Sequence, residues 1–129
     1  MQIYYFSRTG RSKKIAEELA GRFGVTARII DDNKNWAGKF RYLKAGMMAM
    51  IGKTIPVRYE KPEMPDDIAV VFPLWAGAMP PGVKAFAEEV GRENITAVVT
   101  SLGSTLKKRD GFKKVIDLVG EEISAPEEL

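Results

Sequence analysis

The sequence contains no cysteine and no histidine, and these two absences exclude several classes of chemistry. Without thiols there is no disulfide, no thiol redox couple and no cysteine nucleophile. Without imidazoles the usual catalytic triads are excluded, and a zinc or copper site would have to be built from carboxylates alone. Any redox function therefore requires a bound cofactor, and we expect no metal site.

Long hydrophobic runs are absent as well. No apolar stretch approaches the roughly 20 residues that a membrane-spanning helix needs, and the N-terminus opens directly into a strand pattern rather than a signal sequence. With 129 residues, of which 29% are charged and 45% hydrophobic, the chain has the composition of an average globular protein. We expect one domain over residues 1–129, located in the cytoplasm.

Basic residues are unevenly distributed, although the net charge is only +3. Between Asn33 and Pro62 the only acidic residue is Glu60, and the basic residues are Lys34, Lys39, Arg41, Lys44, Lys53, Arg58 and Lys61. Such a segment suits an acidic protein, nucleic acid or an anionic lipid, but a solvated basic face is the simpler interpretation. The aromatic interleaving of nucleic-acid binders is missing, so we predict no nucleic-acid partner.

Apolar runs alternate with helical patterns along the chain. Predominantly apolar runs predict strands over Gln2–Phe6, Val25–Ile30, Ile68–Phe72 and Ile95–Thr100. After Gly120 only the short segment around Glu122–Ser124 is left for a fifth strand. Three- and four-residue spacings predict helices, over Ser12–Phe23, within Trp36–Ile51, over Val83–Val90 and along the stripe Phe112, Val115, Ile116 and Val119. The alternation predicts an α/β fold, a parallel sheet with helices on both faces.

The loop after the first strand is the most informative stretch. Ser7-Arg8-Thr9-Gly10-Arg11-Ser12 combines three hydroxyls, a glycine and two arginines immediately before a helix. Backbone N–H groups at a helix start lack intrahelical partners, and the helix dipole favours an anion there. We therefore predict a phosphate site. The simpler alternative is an ordinary helix N-cap formed by Thr9 or Ser12.

Familiar phosphate-binding patterns do not fit this loop. The chain has neither the Walker spacing nor the dinucleotide-binding glycine fingerprint. A phosphatase of this topology would need a cysteine, and a receiver domain would need acids after the first strand. Two further loops, Pro73–Pro81 and Thr100–Thr105, follow the third and fourth strands. In a parallel sheet all three loops lie at the same edge, where ligands bind.

The quoted motifs resemble those of the flavodoxins. Ser7–Ser12 is similar to that family's phosphate loop, and Val71-Phe72-Pro73-Leu74-Trp75-Ala76-Gly77 resembles its second flavin loop. The resemblance covers essentially the whole chain. It implies a three-layer α-β-α sandwich with a five-stranded parallel sheet in the order 2-1-3-4-5, and non-covalent FMN. Because the chain ends at Leu129, we expect the closing helix of the family to be missing.

The resemblance also implies roles for individual residues. Ser7, Thr9, Gly10 and Ser12 would hold the FMN phosphate, with Arg8 and Arg11 adding positive charge. Pro73, Leu74 and Trp75 would form one wall of the ring site, with Ala76 and Gly77 admitting backbone groups to the flavin's polar edge. Thr100, Ser101, Leu102 and Gly103 would line the other wall, where this chain lacks the family's second aromatic. Trp75 has a simpler interpretation as a buried loop anchor.

The preferred function is an FMN-binding electron carrier, with no catalytic side chain because the flavin supplies the electron chemistry. Two alternatives stay open: an FMN-dependent oxidoreductase acting between NAD(P)H and quinones, and a flavin-free interaction scaffold. Flavodoxins tend to be acidic, whereas this chain is basic, so we expect an acidic redox partner. A missing closing helix would leave one face of the sheet partly uncovered. A homodimer contact or the Trp36–Ile51 segment could cover that face, so the protein could be a homodimer or a monomer.

Overall fold

The structure is a computed structural model that describes residues 1–34, 47–48 and 54–129. Apart from Met47 and Met48, which are helical, the helix predicted within Trp36–Ile51 lies outside the described residues. Most of the basic segment also lies outside them. Within the described part of the chain, no helix is long and apolar enough to cross a membrane.

A five-stranded parallel sheet organises the described chain. Its strands are β1 (Gln2–Tyr5), β2 (Arg28–Ile29), β3 (Ile68–Pro73), β4 (Ile95–Ser101) and β5 (Lys114–Val119). They lie in the order β2-β1-β3-β4-β5, and every neighbouring pair is parallel. The predicted fold class and strand order are therefore confirmed. Strand β2 is shorter than the predicted Val25–Ile30.

Two α-helices are described, one on each face of the sheet. Helix α1 (Arg11–Phe23) follows β1, and helix α2 (Pro81–Val90) follows β3. The apolar stripe of α1 includes Ile15 and Leu19 and packs in a core with strand residues from one face. Helix α2 buries Val83 and Phe86 in a second core on the other face. The three-layer prediction is confirmed by these two separate cores.

The last strand is where the sequence-based prediction of elements is wrong. The stripe Phe112, Val115, Ile116 and Val119 does not form a helix, because Lys114–Val119 pairs with β4 as strand β5. Residues 122–124, predicted as the fifth strand, are not in a strand. The run Val-Ile-Asp-Leu-Val satisfies both periods, and its β-branched residues favour the extended conformation. Gly111 and Gly120, with φ of 90° and 126°, flank the strand.

The sheet is covered less thickly at β5 than at its centre. In the described chain no helix lies between β4 and β5, where the fourth helix was predicted. No helix follows β5 among the described residues either, which agrees with the expectation that the closing helix is missing. Residues Ile68–Phe72 of β3 are buried, whereas most of β5 is only half-buried. The final segment runs along the α1 face, where the backbone N–H of Ala125 donates to Glu18 Oε2 over 3.0 Å.

Candidate functional site

A cleft of about 400 Å³ opens at the carboxyl ends of β1, β3 and β4. It is lined by Ser7, Arg8, Thr9, Arg11, Ser12, Pro73, Leu74, Trp75, Ala76, Gly77, Thr100, Ser101, Leu102, Gly103 and Ser104. The structure thus brings the three predicted loops together at one sheet edge. Of the predicted residues only Gly10 does not line the cleft, and it lies between two residues that do. Their roles toward FMN stay predictions.

Gly10 sets the start of α1 and leaves its first turn without a side-chain cap. It is the N-cap residue, with φ of 96°, and its own N–H donates to Ser7 Oγ over 2.9 Å. No hydroxyl of Thr9 or Ser12 caps the helix, so the ordinary N-cap interpretation is wrong. The first turn also carries no acidic residue. The backbone N–H groups in the first turn of α1 therefore have no side-chain cap, as a helix start that binds an anion requires.

Ser12 and Thr100 are joined by a buried hydrogen bond. Their hydroxyl oxygens are 2.8 Å apart, and the two residues are only 1% and 2% exposed. The bond connects the first turn of α1 to the end of β4, and both residues line the cleft. Each hydroxyl has one proton and two lone pairs. The two hydroxyls can therefore bond to each other and still form further hydrogen bonds with a ligand. Both residues therefore help to fix the cleft's shape.

Positive charge dominates the α1 side of the cleft. Arg8 and Arg11 line it, and no Asp or Glu is among the lining residues within the described chain. The Arg11 guanidinium donates to the carbonyl oxygen of Gly120, which follows β5. This contact ties the start of α1 to the far edge of the sheet. The arrangement favours an anionic group near Ser7–Ser12.

The second loop contains a tight turn over Trp75–Ala78. The two end residues exchange backbone hydrogen bonds of 2.9 and 3.0 Å. Ala76 and Gly77 have φ of 52° and 79°, the signature of a type I′ turn. Glycine adopts this conformation without cost, whereas alanine is strained by about 1–2 kcal/mol. Ala76 and Gly77 both line the cleft, where neither residue places a large side chain.

Trp75 borders the cleft, yet it belongs to the core beneath it. Only 1% of its surface is exposed. Its ring centroid is 5.4 Å from that of Phe6, with the planes at 74°. The structure therefore shows the loop anchor that was the alternative interpretation, and Trp75 offers no exposed face for stacking. The predicted ring wall is left to Leu74 and to the backbone of Ala76 and Gly77.

The third loop supplies the most exposed apolar side chain of the cleft. Leu102 is 68% exposed. The Ser101 hydroxyl folds the loop, because it donates to the carbonyl of Ser104 and accepts the Ser104 N–H over 3.1 Å. Ser104 lines the cleft but was not predicted as a site residue, although it continues the polar stretch after Thr100. Among the described residues no cluster of potential metal ligands is present.

The tyrosines with perturbed pKa values lie in the core and not in the cleft. Burial raises the pKa of Tyr4, whose ring centroid is 4.9 Å from that of Phe86. The Tyr4 hydroxyl donates to the carbonyl of Glu60 over 2.5 Å. Burial also raises the pKa of Tyr59, which packs on the same phenylalanine. These tyrosines hold the extended segment after residue 54 against the sheet and have no evident role in ligand chemistry.

Two solved structures are similar to this chain. One is a flavoprotein from Lactobacillus acidophilus NCFM in complex with FMN, with a TM-score of 0.67 and 14% identity over 93% of this chain and 91% of that one. The other is a provisionally named flavoprotein from Bacteroides uniformis ATCC 8492, with a TM-score of 0.69 and 18% identity over 94% and 90%. No protein-family model matches the sequence, and no curated protein matches it.

At such low sequence identities, the similarity of this chain to the two structures shows the fold alone. The parallel order β2-β1-β3-β4-β5, with α1 and α2 on opposite faces, agrees with it. The cleft volume lies within the usual range of ligand pockets, about 300–1,000 Å³. Its chemistry also fits FMN, because an uncapped helix start and two arginines suit a phosphate while Leu74 and Leu102 suit a flat apolar ring. The strand order and the two similar structures together show that the described chain has a flavodoxin-like α/β fold.

Proposed function

We propose that the protein binds FMN non-covalently in this cleft and acts as a flavodoxin-type electron carrier. The observation that carries the proposal is the convergence of the three loops on a cleft with the uncapped start of α1 at one end. A phosphate there would accept charge-assisted hydrogen bonds from backbone N–H groups and from Thr9. The FMN complex of the Lactobacillus acidophilus neighbour supports this choice of ligand.

The chain's own contribution is binding, orientation and charge. When bound, FMN supplies the electron transfer. Arg8 and Arg11 would neutralise its phosphate, and the Trp75–Ala78 turn would present backbone groups to its polar edge. Leu102 would cover the ring on the opposite side. Because the sequence has no histidine and no cysteine, the chain offers neither an imidazole for proton transfer nor a thiol for covalent attachment.

Titration of the purified protein with FMN and with riboflavin tests the proposal. We expect FMN to bind with a shifted visible spectrum and quenched fluorescence. Riboflavin, which lacks the phosphate, should bind at least about 100-fold more weakly, because two lost charge-assisted hydrogen bonds are worth about 3 kcal/mol. Equal binding of the two ligands would contradict the phosphate assignment. No spectral change with either ligand would favour the flavin-free scaffold instead.

An enzymatic role is the second candidate, favoured by the arginine-lined cleft without carboxylates. Such a cleft suits the phosphates of NADPH as well as that of FMN. A carrier needs an electron-delivering protein partner, and we propose an acidic one because the chain is basic. Rapid NAD(P)H oxidation with a quinone by the FMN-loaded protein alone would establish the oxidoreductase. Negligible oxidation without a partner protein is the result expected of a carrier.

A further inference from the structure

The segment after the third loop is anchored against the second loop. Leu106 is 2% exposed, and its N–H donates to Asp117 Oδ1 over 3.2 Å. Arg109 pairs with the other oxygen of that carboxylate, at 2.7 Å. Between these two anchors, the Lys107 N–H donates to the carbonyl of Gly77 over 3.2 Å. The backbone of Lys107 is therefore fixed beside the Trp75–Ala78 turn.

The side chain of Lys107 covers the turn. A Cβ placed on Gly77 would lie 2.7 Å from Lys107 Cε and 3.2 Å from its Nζ. Gly77 lines the cleft and Lys107 itself does not, so the ammonium lies behind the cleft wall that this turn forms. The local sequence places Lys107 beyond the predicted binding loops, and only the folded path of residues 102–113 brings it here.

The ammonium of Lys107 has no acidic partner among the described residues. No ion pair of Lys107 occurs within the described chain, and no carboxylate lines the cleft there. The carboxylate of Asp117, which anchors this segment, is paired with Arg109. The end of the cleft at the turn therefore carries a net positive charge, in addition to that of Arg8 and Arg11 at the other end.

We infer that Lys107 sets the redox preference of this site by stabilising the reduced, anionic flavin over the oxidised one. The inference rests on the proposed FMN function. The neutral oxidised ring takes up two electrons from an external reductant and one proton from solvent, and it then carries one net negative charge. A cation beside the polar edge of the ring attracts only that reduced form, so the equilibrium shifts toward reduction.

The expected size follows from exposure. Lys107 is exposed, so water screens its interaction with the ring, and an effect of about three- to tenfold on the affinity for reduced FMN is reasonable. For a two-electron couple a tenfold change corresponds to about 30 mV. The same exposure makes the effect sensitive to salt, since the Debye length falls from about 10 Å at 0.1 M to about 3 Å at 1 M.

Reductive titration of the FMN-loaded protein with dithionite and a reference dye tests the inference. Lys107→Gln is compared with Lys113→Gln, which removes the same charge near the opposite end of the sheet, where Lys113 contacts the Asp66 carbonyl. We expect Lys107→Gln to weaken reduced-FMN binding three- to tenfold, leave oxidised-FMN binding within twofold, and lose its effect at 1 M salt. Lys107→Arg should retain the wild-type potential.

The outcomes separate this inference from the proposed function. If the wild-type protein binds FMN and Lys107→Gln has the same potential as Lys113→Gln, the inference is wrong while the FMN site stands. A shift that persists unchanged at 1 M salt also contradicts it, because a purely structural effect would not be screened. If the wild-type protein binds no FMN, both the proposed function and the inference fail.

Discussion

The α1 end of the cleft, Ser7–Ser12, and the turn end, Trp75–Ala78 with Leu102, are built differently. At the α1 end Arg8 and Thr9 are exposed, and Gly10 starts the helix without a side-chain cap. At the turn end the largest side chain, Trp75, is buried under the loop and leaves strained backbone at the surface. The first region leaves polar groups exposed beside the cleft, whereas the second region buries its largest side chain in the core.

The largest expected effect comes from Trp75→Ala. We expect the free energy of unfolding of the FMN-free protein to fall by about 3–5 kcal/mol, as for other buried aromatic residues truncated to alanine. Chemical denaturation followed by circular dichroism measures this loss. Leu102→Ala is the matched control at the same end of the cleft, and because Leu102 is exposed it should change stability by no more than about 0.5 kcal/mol.

FMN affinity completes this test of the turn end. Leu102→Ala should weaken FMN binding without destabilising the free protein, since its exposed side chain is proposed to cover the ring. A Trp75→Ala protein as stable as wild type, but unable to bind FMN, would show that the tryptophan is a ligand wall after all. That result would remove the contrast between the two ends.

The alternation of apolar runs and helical patterns predicted a parallel sheet and the positions of its loops, whereas the strand order was predicted from the resemblance to flavodoxins. The sequence did not predict β5, since Val115–Val119 fits the helical and the strand period equally well. No helix lies between β4 and β5 in the described chain, so the sequence has no separate helical pattern that would identify this run as the strand. Nor could it predict that Trp75 is turned inward, because the direction of a loop side chain depends on partners distant in sequence, such as Phe6.

The same limit applies to contacts made across the cleft. Lys107 reaches Gly77 only through the path of an irregular connection, for which the sequence has no periodic signal. Ser12 and Thr100 were predicted separately as ligand contacts, although the fold pairs them with each other. Residue types at strand ends therefore indicated where a ligand could bind. They did not indicate which side chains would be used by the protein itself.

A smaller effect is expected at the α1 end from Gly10→Ala. No atom lies within 4 Å of a Cβ placed on Gly10, so the cost arises from its φ of 96° alone. We expect a loss of about 1–2 kcal/mol in unfolding free energy, with FMN binding weakened more than riboflavin binding. Gly21→Ala is the control within the same helix, where alanine should stabilise by about 0.5–1 kcal/mol. Equal weakening of both flavins would contradict a phosphate at this end.

The smallest expected effect tests whether the α1 end of the cleft is coupled to the carboxyl end of β4. The Ser12–Thr100 bond connects them. Ser12→Ala and Thr100→Val should each lower the free energy of unfolding by about 1–2 kcal/mol, because each removes one hydroxyl and leaves the other buried without this partner. In the double variant neither hydroxyl remains, and the combined loss should fall short of the sum by about 1 kcal/mol. Denaturation of the four proteins measures this coupling. Ser12→Ala combined with Thr26→Val, at an exposed position, should be additive. Additivity in the Ser12–Thr100 cycle as well would mean that the bond does not couple α1 to the end of β4.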